Sequence, residues 1–239
     1  MESTTRAGAM SERSNESGFD RGAAITRSLL GYGVIVGPFY VAVGLIQAVV
    51  RDGFDLARHP LSVLANGPGG WVQTANFVLS DLMVIAATVG IARVLGPGAR
   101  ATSWFLGAFG ASMLVAAVFR ADPVDGFPPG TPEGLPTSIS ATGMVHFVAG
   151  ALGFVSLAVS CFLAARALRR RNERSFSRFS LVSGLAVVLG FFGGPLLGGG
   201  ASPVLGIWIS VIVGWAWLVI LSLHLYRVSP DPRCAPRPR

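Results

Sequence analysis

Six long apolar runs, separated by shorter polar stretches, organise this chain. They cover about residues 29–50, 71–95, 101–119, 143–168, 180–197 and 205–226. Most approach or exceed the roughly 20 residues needed to cross a bilayer as a helix. None shows the strict alternation of a membrane β-strand, and in hydrocarbon a helix satisfies its own backbone hydrogen bonds. The predicted fold is all-α: a polytopic transmembrane bundle of six helices, residues 29–226. Residues 1–28, rich in Ser, Thr, Gly, Arg and Glu, read as a disordered tail before a retained first span. Residues 227–239 read as a second tail. Pro38, after Gly37, predicts a kink in span one.

Within the runs, span two has the clearest polar face. At 100° per residue, Gln73, Asn76, Ser80, Asp81 and Thr88 share roughly half the helix circumference. Val72, Ala75, Leu79, Leu82 and Ala86 occupy the other half and should meet lipid. Small residues also recur at steps of four. Gly33 and Gly37 do so in span one, and Ser103, Gly107 and Ala111 in span three. Span five has Ala186, Gly190, Gly194 and Gly198, and span six has Gly206, Ser210 and Gly214. Such stripes let helix backbones approach closely. They predict one compact bundle, and a homo-oligomeric contact is compatible with them.

Composition agrees with a membrane protein. Charged residues make up 13% and hydrophobic residues 51% of the 239 positions. Soluble domains carry roughly 25% charge. The net charge of +7 comes from arginine alone, since the chain has no lysine. In a soluble protein such a balance would suggest nucleic acid. Here the arginines sit at helix ends, so no nucleic-acid partner is inferred.

Their distribution sets an orientation. Arg6, Arg13, Arg21 and Arg27 precede span one, and Arg93 and Arg100 follow span two. Arg166, Arg169, Arg170, Arg171, Arg174 and Arg178 join spans four and five, and Arg227, Arg233, Arg237 and Arg239 follow span six. Only Arg51, Arg58 and Arg120 fall on the other side. The positive-inside rule places both termini in the cytoplasm of a plasma-membrane protein. The connection carrying Arg169 to Arg178 is also a candidate site for anionic lipid. Trp71 and Trp208 at the outer interface, and Trp104 and Tyr226 at the inner one, complete the aromatic belts. His224, at the inner end of span six, reads as a further interface anchor.

Candidate chemistry is sparse. Asp81 lies ten residues beyond Trp71, about 15 Å deep at 1.5 Å per residue. A carboxylate at mid-bilayer costs about 2.5–3.5 kcal/mol on insertion scales. It must find a partner such as Arg58 or Arg120, line a wet cavity, or stay protonated. The functional alternative makes it a proton or cation site. His59 and His146 share the outer side with Asp52, Asp55, Asp122 and Asp125. Zinc takes His and carboxylate ligands, so His59, Asp122 and His146 are candidate metal ligands. No tight ligand spacing such as HExxH supports them, and ion pairs such as Arg120 with Asp122 are the plainer reading. Ser62 lacks a nucleophile elbow. The glycine runs match no nucleotide-binding pattern, so no cofactor is inferred. The two cysteines, Cys161 and Cys234, suggest neither a disulfide framework nor a metal.

The segments "GFDLARHPLSVLANGPGGWVQTANFVLS" and "VFRADPVDGFPPGTPEG", followed by His146, resemble a bacterial membrane family, domain of unknown function 998. The resemblance covers about residues 28–226 and implies six spans, with no established activity, ligand or cofactor. The family pattern often places a His near Thr142 and a small residue near Asp81. This chain departs from both, so Asp81 reads as particular to this protein. Three function classes stand. The first is a non-enzymatic, lipid-associated membrane or accessory protein. The second is an outward-facing metal-dependent lipid hydrolase using His59, Asp122 and His146, with Ser62 or water nearby. The third is a small proton-coupled transporter using Asp81. Six spans without a visible repeat fit inverted-repeat transporters poorly.

Overall fold

A computed structural model describes residues 19–134, 136–196 and 203–233. It contains six long helices: α1 (Arg21–Val50), α2 (Gly70–Leu95), α3 (Arg100–Val118), α4 (Ala141–Arg170), α5 (Arg174–Leu196) and α6 (Pro203–Val228). All six are long and apolar enough to cross a membrane. The fold is therefore an all-α, multi-pass membrane bundle, as the hydrophobic pattern predicts. No strand forms among the described residues beyond one isolated bridge between Val124 and Phe127.

The helices form a closed ring in chain order. Each packs on its sequence neighbours, and α6 closes against α1. Small residues set the closest approaches. A Cβ at Gly33 would strike Ser222 of α6, and one at Gly206 would run into the carbonyl of Gly190 on α5. The stripes in spans one, five and six thus hold helices together, as far as their described members go. The span-three stripe does not. There Thr102, Leu106, Phe109, Gly110, Met113, Ala116 and Ala117 are the buried positions, while Ala111 is exposed and a Cβ at Gly107 would meet little. Hydroxyl groups add links along the ring. Ser160 donates to the Thr102 carbonyl, Ser210 to that of Val187, and the Trp217 indole N–H to Ser180.

Span two turns the predicted way. Gln73, Asn76, Ser80, Asp81 and Thr88 are buried, and Leu79 and Leu82 are exposed. Pro38 does not interrupt α1.

The boundaries differ from expectation at both ends. α1 begins at Arg21, eight residues before the apolar run, because Asp20 caps it by accepting from the Ala23 N–H at 3.0 Å. At the other end, Arg227 and Val228 complete α6, and the chain turns back onto the start of α1. The Asp20 N–H donates to the Pro232 carbonyl, and Arg27 donates to that of Ser229 while facing Asp231. Both ends of the described chain therefore meet at one end of the bundle, the arginine-rich end. The rest of the two expected tails, the connection between α5 and α6 (residues 197–202) and Cys234 lie outside the described residues.

Candidate functional site

The opposite end of the bundle is capped by two interlocked connections. In the first, residues 51–69, the sequence after His59 turns inward as a short 3-10 helix, Leu61–Ala65. Its Leu61, Val63, Leu64 and Ala65 are all buried. This is no solvated turn: the segment is apolar enough to plug the bundle mouth. Arg51 holds the far end of the plug, donating to the Leu64 and Asn66 carbonyls at 3.1 and 2.6 Å. Its guanidinium also lies 5.2 Å from the centre of the Phe127 ring. Trp208 reaches over from α6 and donates its indole N–H to the Leu56 carbonyl at 3.0 Å.

The second connection, residues 119–140, docks onto the first. Arg58 forms a two-pronged pair with Asp125. The Arg58 guanidinium, and then the Gly134 N–H, hold the Asp125 carboxyl well below the usual carboxylate range. Asn66 donates to the Ala121 carbonyl at 2.9 Å. His59 is the centre of the junction and only 1% exposed. Its Nδ1 accepts from the Asp55 N–H at 2.9 Å, so Nε2 carries the proton and donates to the Asp125 carbonyl at 3.0 Å. Phe54 and Phe127 flank the ring. Both nitrogens are thus occupied, Nδ1 within the first connection and Nε2 across to the second.

The other two candidate ligands lie elsewhere, around α4. Asp122 accepts from the Ser140 N–H at 3.0 Å and packs against Gly143, where a Cβ would collide with its carboxylate. This sets an acidic group at the α4 N-terminus, where the helix dipole favours it. One turn on, His146 points its Nδ1 at the carbonyls of Ala116 and Phe119, each at 2.9 Å. It satisfies carbonyls left unpaired at the end of α3. Among the described residues, no group of three His, Cys, Asp or Glu could hold a metal ion. Arg120 is exposed and makes no ion pair with Asp122 among the described residues.

Beneath the cap is a cavity of about 290 Å³, at the lower edge of the range usual for small-molecule sites. All six helices and the plug contribute to its wall. The lining is aromatic and aliphatic, including Tyr40, Phe77, Met113, Phe154, Phe191 and Trp208. Its polar side chains include Ser62, Asp122 and His146 at the capped end. The cavity also reaches Ile139 and Phe147, which are 60% and 64% exposed. It therefore meets the bundle surface among apolar groups.

Deeper in the bundle lies a second, smaller space of about 30 Å³, bordered by Asp81. Asp81 is 1% exposed, and its Oδ2 has no hydrogen-bond partner. Neither Arg58 nor Arg120 reaches it, so the suggested ion pair is absent among the described residues. Above Asp81 runs a buried amide ladder. Gln47 donates to Gln73 at 2.7 Å, and Asn76 donates to Gln73 at 3.2 Å and to the Tyr40 carbonyl at 3.1 Å. Gln47 is the member the sequence reading missed. A single amide near the end of an apolar run carries no face signal of its own.

At the arginine-rich end, Arg166, Arg169, Arg174 and Arg178 rim a groove of about 650 Å³. Phe162, Ala165 and Leu181 supply its apolar side. Arg171 is directed away from it, pairing with Glu173 and donating to the Val94 carbonyl. Glu173 also accepts from His224, which stacks on Phe176. His224 is thus part of an inter-helix clasp rather than a free interface anchor.

No curated protein and no solved structure matches this chain. A family model described as "Protein of unknown function (DUF998)" matches residues 34–224, most of the described bundle and both capping connections. The match covers far more than half of the chain, so this six-helix membrane protein belongs to the DUF998 family.

Proposed function

We propose that this protein is a non-enzymatic, lipid-associated membrane protein whose capped-end cavity accepts the apolar chain of a membrane lipid. The observation carrying this reading is the cavity itself. Its volume is about 290 Å³, its wall is mostly aromatic and aliphatic, and it reaches the surface beside the exposed Ile139 and Phe147. An apolar cavity of about 150 Å³ already stays dry and takes up benzene-sized guests. A larger one beside the hydrocarbon has acyl chains as its most abundant neighbours. Asp122 and His146 at the same end could meet a polar headgroup by hydrogen bonding.

In the proposed orientation the capped end faces outward from the plasma membrane and the arginine-rich end faces the cytoplasm. The groove rimmed by Arg166, Arg169, Arg174 and Arg178 then lies at the inner leaflet. Anionic headgroups would be attracted there by about 1 kcal/mol per arginine near the surface.

The test is native mass spectrometry of the purified protein in detergent, comparing wild type with Gly150→Phe. Gly150 lines the cavity, and a Cβ there meets nothing within 4 Å. The wild type should retain lipid, and the folded variant should lose it. Equal retention by both, or none by either, would remove this reading.

A further inference from the structure

Asp81 gives the cavity a chemical preference. Asp81 borders the small space of about 30 Å³, and its Oδ2 is buried with no hydrogen-bond partner. One water needs roughly 10–15 Å³ of such space, so the guest it admits is small. It therefore suits a compact head group. Tyr40, Phe77, Met113, Phe154 and Val211 border both this space and the main cavity. Met113, unbranched and adaptable, can yield between the two.

Aromatic rings surround the same point. Tyr40 lies 5.7 Å from Phe77 and 5.1 Å from Trp215, centroid to centroid, and Phe109 lies 6.1 Å from Trp215. All four rings border the small space. Ring faces attract cations, and a buried carboxylate without a partner attracts them more strongly. No arginine supplies that partner among the described residues. Arg58 is committed to Asp125 at the capped end.

We propose that Asp81, the aromatic rings around it and the apolar cavity above form a binding site for an amphiphile with a primary ammonium head. The ammonium occupies the small space and donates to Asp81 Oδ2. The apolar body fills the main cavity. This rests on the reading of that cavity as a site for apolar guests from the membrane. A trimethylammonium head carries the same charge, but it has no N–H to donate.

Three probes of matched body separate the possibilities: 4-phenylbutylamine, its N,N,N-trimethyl derivative, and butylbenzene. Binding to full-length protein in one detergent is followed by fluorescence of the tryptophans, since Trp208 and Trp215 border the two spaces. The wild type should bind the amine at least about tenfold tighter than either other probe, the increment of one charge-assisted hydrogen bond. Asp81→Asn should remove that advantage and leave butylbenzene unchanged. Should Asp81→Asn fail to fold, the ranking of the three probes on wild type decides. If all three bind wild type equally, the role of Asp81 is overturned while the apolar cavity stands. If the trimethyl derivative binds as well as the amine, the hydrogen bond from the ammonium to Asp81 is overturned. If none binds, both this proposal and the lipid reading fall.

Discussion

Arg58 and Asp125, 67 positions apart, join the two capping connections through parallel hydrogen bonds of 2.8 and 2.7 Å. The pair is exposed to water, so its value lies in register more than in raw stability. Its pH dependence has a definite sign. The Asp125 carboxyl is held below its ordinary range in the folded protein. Its contribution is therefore fully present above the unfolded value of about 4, and is lost as pH falls through the lower folded value. Asp125→Asn should lower the melting temperature in detergent at pH 7, and the gap to wild type should narrow only below about pH 4. A gap constant down to strongly acidic pH would show that the pair does not act this way.

His59 tests whether the junction is structural. His59→Ala would leave the Asp55 N–H and the Asp125 carbonyl without their partners and open a void between Phe54 and Phe127. A loss on the order of 2–4 kcal/mol follows from the unmade hydrogen bonds and the cavity. Metal content measured on the purified protein should be the same in variant and wild type. Stoichiometric metal that disappears with His59 would restore the ligand role.

The amide ladder should matter less. Gln73→Leu removes the acceptor shared by Gln47 and Asn76. Polar contacts between membrane helices average about 0.6 kcal/mol, because the unfolded state in lipid also finds partners. The expected loss is about 0.5–2 kcal/mol, smaller than for His59→Ala. Unfolding titrations of the two variants in one detergent would check the order.

The α5–α6 contact should be unforgiving. Gly190 and Gly206 meet backbone to backbone, with no room for a Cβ on either. Gly206→Leu should cost at least the roughly 1–3 kcal/mol of an overpacked core, or prevent the two helices from docking. Gly96→Ala is an unsuitable control because its backbone is left-handed, whereas Gly98→Ala meets nothing within 4 Å and should be near neutral. Thermal melts of both variants provide the comparison.

The helical part of this architecture was open to reading because its cause is local. A run of apolar residues either spans hydrocarbon or it does not, and a 3.6-residue period carries Gln73, Asn76, Ser80 and Asp81 to one face. The specific contacts within the cap were hidden because they are distant in sequence. Nothing near His59 reveals that its ring joins Asp55 to Asp125, so a shared compartment looked like a ligand set. The inward turn of Leu61–Ala65 was obscured by the charged residues just before it. The start of α1 was masked by polar composition, although Asp20 before an Ala-rich turn is a recognisable cap. The cavity had no signal at all, since it is the space between side chains from every helix.

Photolabelling tests the central claim, an apolar cavity that takes up membrane lipid, most directly. The protein is reconstituted in vesicles containing a lipid with a photoreactive group on its acyl chain, and the adducts are mapped by mass spectrometry. Adducts should appear on the cavity residues Met113 and Phe154 as well as on the exposed Leu79 and Leu82. Gly150→Phe should abolish the first set and leave the second. Adducts confined to Leu79, Leu82 and other outer positions in the wild type would contradict the account.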